Sequence, residues 1–189
     1  QKKTTFGLGG DCDVRAENIR CVSAAHTECD IVYGERRVHA VIPAFGQHMV
    51  YAALEGAAVG FLLGLTDDEI AAGIAAYETV GRRAAVSDTG FVTLIDDCYN
   101  ANPDSMAVAL RTAVELAAGT RQEHPEAKVV AVLGDMLELG PLSADLHREL
   151  GRQAADAGVN ELVAVGEFAD DIVAGAEEEH LPARATVRD

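Results

Sequence analysis

The first 45 residues alternate apolar and polar positions in short runs. Ile19-Arg20-Cys21-Val22 and Ile31-Val32-Tyr33 are rich in β-formers, Gly34-Glu35 is a turn signal, and Arg37 to Ile42 alternates until Pro43 stops it. This pattern predicts an antiparallel hairpin or meander. Residues 47 to 79 change period and predict two helices. The first, His48 to Leu63, is apolar around most of its circumference, which predicts burial on more than one side. Gly64 suits a left-handed helix end. Thr66-Asp67-Asp68-Glu69 reads as a capping box opening the second helix. Val80-Gly81-Arg82-Arg83 reads as a connection.

Beyond it, apolar strands alternate with helical periods. Strands are predicted at Phe91–Ile95, Val129–Leu133 and Leu162–Val165. Helices are predicted at Pro103–Ala118, Ser143–Ala157 and Phe168–Ala176, the first with Asn102 as N-cap and Pro103 at its first position. The unbroken apolar run at 129–133 suggests a strand covered on both faces. The order βαβαβα predicts a parallel sheet with right-handed crossovers. Thr186-Val187-Arg188 reads as a further strand, so the second domain is expected to be truncated. The fold class is α/β in two parts, residues 1–80 and 81–189.

Composition narrows the function. The chain has 189 residues and is 49% apolar, enough for a core. Its longest apolar stretch, Ala52 to Leu65, contains Glu55 and three glycines and is too short for a membrane span. Gln1-Lys2-Lys3-Thr4-Thr5 has neither an initiator Met nor an apolar signal region, so the chain reads as starting inside a longer, cytoplasmic protein. A net charge of −16 argues against nucleic acid as a partner. Lys2, Lys3 and Lys128 are the only lysines, leaving cationic work to arginine. No cysteine pair has CxxC spacing, so no metal site is expected and Cys12, Cys21, Cys29 and Cys98 should be free thiols. A monomer is expected.

Ligands of open α/β sheets bind beyond the C-terminal ends of strands. Three loops qualify. Asp96-Asp97-Cys98-Tyr99-Asn100-Ala101-Asn102 presents two carboxylates, a phenol and two amides before a helix start. Capping accounts for Asn102 and Asp104, but not for adjacent like charges at a strand end. The second loop, Gly134 to Gly140, is flanked by glycines and matches no dinucleotide fingerprint. The third, Gly166-Glu167-Phe168, reads as a bare connection. Arg82 and Arg83 at the junction could reach a phosphate or simply be solvated. His48 and His147 stand alone, and no Ser-His-Asp or Cys-His arrangement emerges.

Asp96 to Met106 closely resembles the motif DDSYNANPxSM, and Val132 to Gly140 resembles VLGDMxELG. Both belong to the UDP-N-acetylmuramoyl-tripeptide–D-alanyl-D-alanine ligases of the Mur ligase family. Phe6-Gly7 with Asp13 to Asn18, and Gly46-Gln47-His48, resemble further family stretches in the same order. The resemblance implies the end of an ATP-binding central domain in residues 1–80 and a Rossmann-like ligase domain in residues 81–189. It implies an ATP–Mg²⁺-dependent ligase that makes an acyl phosphate and passes it to D-alanyl-D-alanine, with UDP-N-acetylmuramoyl-tripeptide as the other substrate. By position, Arg82, Asp96, Asp97, Tyr99, Asn100 and His48 fall to the ATP site, and Asp135, Glu138 and Asn102 to the dipeptide end. No residue of the chain takes a catalytic or metal-binding role.

The sequence also departs from the pattern. It contains no G-x-x-G-K-[ST] phosphate loop, so the isolated chain is expected to be inactive, with ATP and Mg²⁺ held mainly by residues outside it. Ala52 and Met49 stand where the family helix usually carries asparagines, one of them for adenine, and Cys98 replaces the usual serine. Two alternatives follow: a non-catalytic Mur-like binding module, and a Mur-type ligase with another acceptor.

Overall fold

The computed structural model describes residues 3–23, 25–78 and 84–186. It divides into two compact units, residues 1–80 and 81–189.

The first unit opens with strands β1 (Phe6–Gly7), β2 (Val14–Ser23), β3 (His26–Tyr33) and β4 (Arg36–Ile42), in that order across one sheet. β1 is parallel to β2, and β2, β3 and β4 form the expected antiparallel meander. Gly34 makes the β3–β4 turn with φ 59°, a conformation that costs glycine nothing. The inward positions Val14, Ala16, Cys29, Ile31, Val38, Ala40 and Ile42 form one side of a core. Helix α1 (His48–Leu63) supplies the other side through Val50, Ala53, Leu54, Ala57 and Phe61. Thr27, fully buried, steers the chain into α1: its Oγ1 donates to the Ala44 carbonyl at 2.8 Å and accepts from Gly46 N–H at 3.1 Å.

Helix α2 (Asp67–Ala75) starts at the capping box read from the sequence. Thr66 Oγ1 accepts from Glu69 N–H, and Glu69 Oε2 accepts from Thr66 N–H at 2.8 Å. Those bonds hold the Glu69 carboxyl below its ordinary range. Arg36 ties the helix to the β3–β4 turn. Its Nε donates to Asp67 at 2.7 Å, its Nη2 to the Leu65 carbonyl at 2.8 Å, and its guanidinium lies 4.5 Å over the Phe61 ring.

α1 corrects one expectation. Its apolar circumference suggested burial on more than one side, yet Tyr51, Val59, Leu62 and Leu63 are about half exposed or more. The sheet and α2 reach only one side of it. Between α1 and α2 an apolar groove of about 280 Å³ is lined by Met49, Ala52, Gly56, Gly73 and Tyr77 among others.

The outward face of the meander carries a charge network. Arg37 donates to Glu17 at 2.7 Å and to Asp30 at 3.1 Å, and Asn18 donates to Asp30 at 2.7 Å. The Arg37 bond holds the Glu17 carboxyl below its ordinary value, and the Asn18 bond does the same for Asp30. Carboxyls depressed on folding contribute stability above their unfolded values and lose it as pH falls through the folded ones. Arg37→Met should therefore lower the urea midpoint by more at about pH 7 than at about pH 2, because this stability is lost as pH falls through the folded values of the two carboxyls. Urea titrations at the two pH values check this. A midpoint difference that persists unchanged in acid contradicts it.

In the second unit, β5 (Ala85–Asp88) pairs antiparallel with β6 (Thr93–Asp96). This corrects the expectation that the strand at 91–95 leads the parallel sheet. The preceding residues decide it. Asp88 accepts from Gly90 N–H at 2.7 Å, Gly90 takes φ 82°, and Thr89 Oγ1 donates to the Val92 carbonyl, which turns the chain back on itself. Phe91 is 98% exposed at the tip of that turn.

Helix α3 (Pro103–Thr120) follows. Next come β7 (Val130–Leu133), a 3₁₀ turn at Gly140–Leu142, α4 (Ser143–Ala157), β8 (Glu161–Val165), α5 (Ala169–Glu178) and β9 (Ala183–Thr186). β7, β8 and β9 form the expected parallel sheet in that order, joined by helical crossovers. The final strand begins at Ala183, before the predicted 186–188. Ala131, Leu133, Leu162 and Ala164 pack with Leu110 of α3, Leu150 and Ala154 of α4, and Ile172 and Ala176 of α5. β7 is covered on one face rather than two. Its pattern alternates, with Val130 and Val132 at 52% and 69% exposure. Among the described residues no helix is long and apolar enough to cross a membrane.

Candidate functional site

The candidate residues of the second unit sit on loops that leave its strands. The β6–α3 loop begins with the two carboxylates. Asp96 accepts from the Cys98 thiol at 2.9 Å, and Asp97 Oδ1 accepts from Ala84 N–H at 2.9 Å, closing the base of the β5–β6 hairpin. The pair that capping left unexplained thus has one member held by backbone. Tyr99, 63% exposed, and Asn100 face outward. Asn102 caps α3: its Oδ1 accepts from Ser105 N–H at 2.9 Å, while Asn102 N–H donates to Ser105 Oγ at 3.2 Å. Ala101 and Met106 pack against the unit's core and seat the loop.

The β7–α4 loop is the more strongly built. Asp135 turns back across to the β8–α5 loop, where its Oδ2 accepts from Glu167 N–H at 2.8 Å and its Oδ1 from Phe168 N–H at 3.0 Å. These amides precede α5, so the carboxylate also meets the positive end of that helix. Met136, 1% exposed, donates its backbone N–H to His147 Nε2 at 2.8 Å. His147 is wholly buried on the first turns of α4. Its Nδ1 lies 2.7 Å from the Ser143 carbonyl, which fixes the Nδ1–H tautomer. Its ring stacks on Phe168, centroids 4.6 Å apart. Glu138 is exposed at φ 63°, and Gly140 adopts φ 61° beside it.

The structure thus joins two loops that the sequence treated separately. Gly166-Glu167-Phe168 had looked like a bare connection, and it proves to be the anchor for Asp135. Gly166 was the available signal. It takes φ 120°, and a Cβ there would stand 2.4 Å from the Asp135 carboxylate. His147 was equally passed over, and nothing in its spacing announces a partner at Met136.

Of the other candidates, His48 is the first residue of α1 in the first unit, where Met49 and Ala52 border the apolar groove. Arg82, together with Arg83, lies outside the described residues. Among the described residues no three His, Cys, Asp or Glu side chains converge to hold a metal ion. None of the four cysteines is in a disulfide, and burial pushes the Cys29 thiol up to about 11.

Residues 81–188 match the family model described as Mur ligase, glutamate ligase domain. The chain is 40% identical over 129 residues to the UDP-N-acetylmuramoyl-tripeptide–D-alanyl-D-alanine ligase of Mycobacterium leprae, covering 65% of this chain and 25% of that protein. It is 35% identical over 155 residues to the ligase of the same name from Escherichia coli, covering 82% of this chain and 32% of the relative. Among solved structures, MurF from Acinetobacter baumannii superposes with a TM-score of 0.81 at 27% identity, over 96% of this chain and 37% of that one. The chain thus spans about a quarter to a third of the length of these two curated relatives.

Proposed function

This chain belongs to the Mur ligase family, and we propose that it is part of an ATP-dependent ligase joining D-alanyl-D-alanine to UDP-N-acetylmuramoyl-tripeptide in the cytoplasm. In this reading residues 1–80 end the ATP-binding domain and residues 81–189 form the ligase domain. One observation carries it: the two family motifs, Asp96–Met106 and Val132–Gly140, span successive strand-to-helix loops of one unit, and the second leaves the parallel sheet at the strand end where open α/β sheets take their ligands.

The reaction has two steps. ATP phosphorylates the tripeptide carboxylate to an acyl phosphate. The dipeptide amine then attacks the acyl carbon, and the tetrahedral intermediate expels phosphate. The chain's work is orientation and charge placement. We assign Asp97, with Asp96, Tyr99 and Asn100, to the nucleotide side, where a carboxylate can accept from ribose hydroxyls. By the family resemblance, Arg82 and His48 are also assigned to nucleotide binding. On the acceptor side, Glu138 presents an exposed carboxylate to an incoming ammonium, and Asp135 and Asn102 shape the loops around it. ATP phosphates and Mg²⁺ are held mainly by residues beyond this chain, so the isolated chain should not turn over ATP.

The test is acceptor profiling with the complete ligase that contains this chain. Phosphate release should be promoted by D-alanyl-D-alanine and not by D-glutamate or L-alanine. Glu138→Ala should raise the KM for the dipeptide about tenfold with little change for ATP, the mark of a lost binding contact. Preference for another amino acid would replace the acceptor and keep the chemistry. A second reading, a non-catalytic binding module, draws on Ala52 and Met49, which leave an apolar groove where the family helix usually carries amides. No ATP turnover by the complete, folded protein would favour it.

A further inference from the structure

We propose that Asp135 and His147 are positioning residues for the acceptor loop: they touch no substrate, and together they fix the stem from which Leu137 and Glu138 project. The proposal rests on the reading that the Gly134–Gly140 loop serves the incoming amine.

The loop is pinned on both sides of its tip. Before the tip, Asp135 accepts two backbone N–H bonds from Glu167 and Phe168, and the Met136 N–H is fastened to the buried His147. After the tip, Leu139 packs against the core. Phe168 joins the two anchors, because its N–H bonds Asp135 while its ring stacks on His147. Between the anchors only Leu137, 74% exposed, and Glu138 face outward. Glu138 does so at φ 63°, a left-handed conformation that is strained for a residue with a Cβ. Strain of this kind persists where the surroundings over-determine it, and it points to function. A carboxylate beside an isobutyl group suits a cationic amine carrying a small apolar substituent.

Neither anchor is replaceable by Asn. An Asn at 135 presents one acceptor and one NH₂, so one of the two backbone amides faces a donor. An Asn at 147 can reproduce the bond to Ser143 but leaves Met136 N–H without its buried acceptor. A Gln at 147 can place an oxygen near the Nε2 position and keep that bond.

The experiment uses the complete ligase with Asp135→Asn, His147→Asn and His147→Gln. Asp135→Asn and His147→Asn should raise the KM for D-alanyl-D-alanine about tenfold while the KM for ATP and kcat stay within about threefold, because a displaced loop loses acceptor alignment and nothing else. His147→Gln should recover most of the loss. A general folding defect would instead reduce kcat and leave both KM values unchanged. Dipeptide-dependent turnover with an unaltered acceptor KM in both Asn variants overturns the inference and leaves the proposed function standing. A wild type without dipeptide-dependent turnover overturns that function and the acceptor role with it. The pinning is then decided in the 189-residue chain by amide exchange, where Asp135→Asn must speed Glu167 and Phe168, and His147→Asn must speed Met136. Unchanged exchange overturns it.

Discussion

Gly175→Ala is expected to destabilise the second unit by about 3 kcal/mol, at the upper end of overpacking costs. α4 and α5 meet at backbone distance. A Cβ on Gly175 would stand 1.8 Å from the Arg148 carbonyl oxygen, and one on Gly151 would stand 2.0 Å from the Ile172 oxygen. Neither obstacle is a side chain that can swing aside, so α5 must move away from α4. Ile172 and Ala176, both fully buried in the sheet–helix core, would move with it. The ion pairs of Arg148 and Arg152 with Glu178, at 2.8 and 2.6 Å, bridge the same two helices and resist the separation. Gly119 in α3 is the control, since a Cβ there meets nothing within 4 Å. Gly119→Ala should be neutral or stabilise by up to about 1 kcal/mol, through helix propensity alone. Urea midpoints of the two variants decide the matter. Equal midpoints would mean that the helices do not touch through their glycines.

Leu54→Ala should cost the first unit about 3–4 kcal/mol, the sum of lost transfer energy and the cavity left behind. Leu54 is fully buried at the middle of α1, in the cluster that joins Ile31, Val38 and Ile42 of the sheet to Ile70 of α2. Those neighbours belong to a hydrogen-bonded sheet and a second helix, so the site has little freedom to collapse. Leu63, on the same helix, is 74% exposed. Leu63→Ala should change stability by less than about 0.5 kcal/mol. Chemical denaturation of both variants measures the contrast. A similar loss for both would mean that α1 does not present the face described.

The parts of this fold that were legible in the sequence are those decided within a few residues. The Thr66–Glu69 box, the Asn102 cap with Pro103, and Gly64 at the left-handed end of α1 need only their own neighbours, and all three stand as read. The α/β alternation was legible for the same reason, because apolar period follows the local element. Pairing was not. The strand before the β6–α3 loop looks like any parallel strand in its residues. It is an antiparallel hairpin because a tight turn at Asp88–Gly90 offers a partner a few residues upstream. Burial was misjudged at α1 and β7 because an apolar residue records what it tolerates, not what covers it.

The candidate site divides in the same way. Asp96, Asp97, Asp135 and Glu138 stood out by motif and by charge. The bonds from Asp135 to residues 167 and 168, and from Met136 to His147, cross 32, 33 and 11 positions of chain. Each joins a backbone amide, which no sequence identifies, to a side chain that reads as ordinary. Only Gly166 left a trace.

The ligase assignment is tested most directly by phosphate release from the complete protein, given ATP–Mg²⁺ and UDP-N-acetylmuramoyl-tripeptide, with and without D-alanyl-D-alanine. The account predicts release that depends on the dipeptide, which would also show that adenine is bound with Ala52 in place of an amide. A folded protein that releases no phosphate under either condition would contradict it.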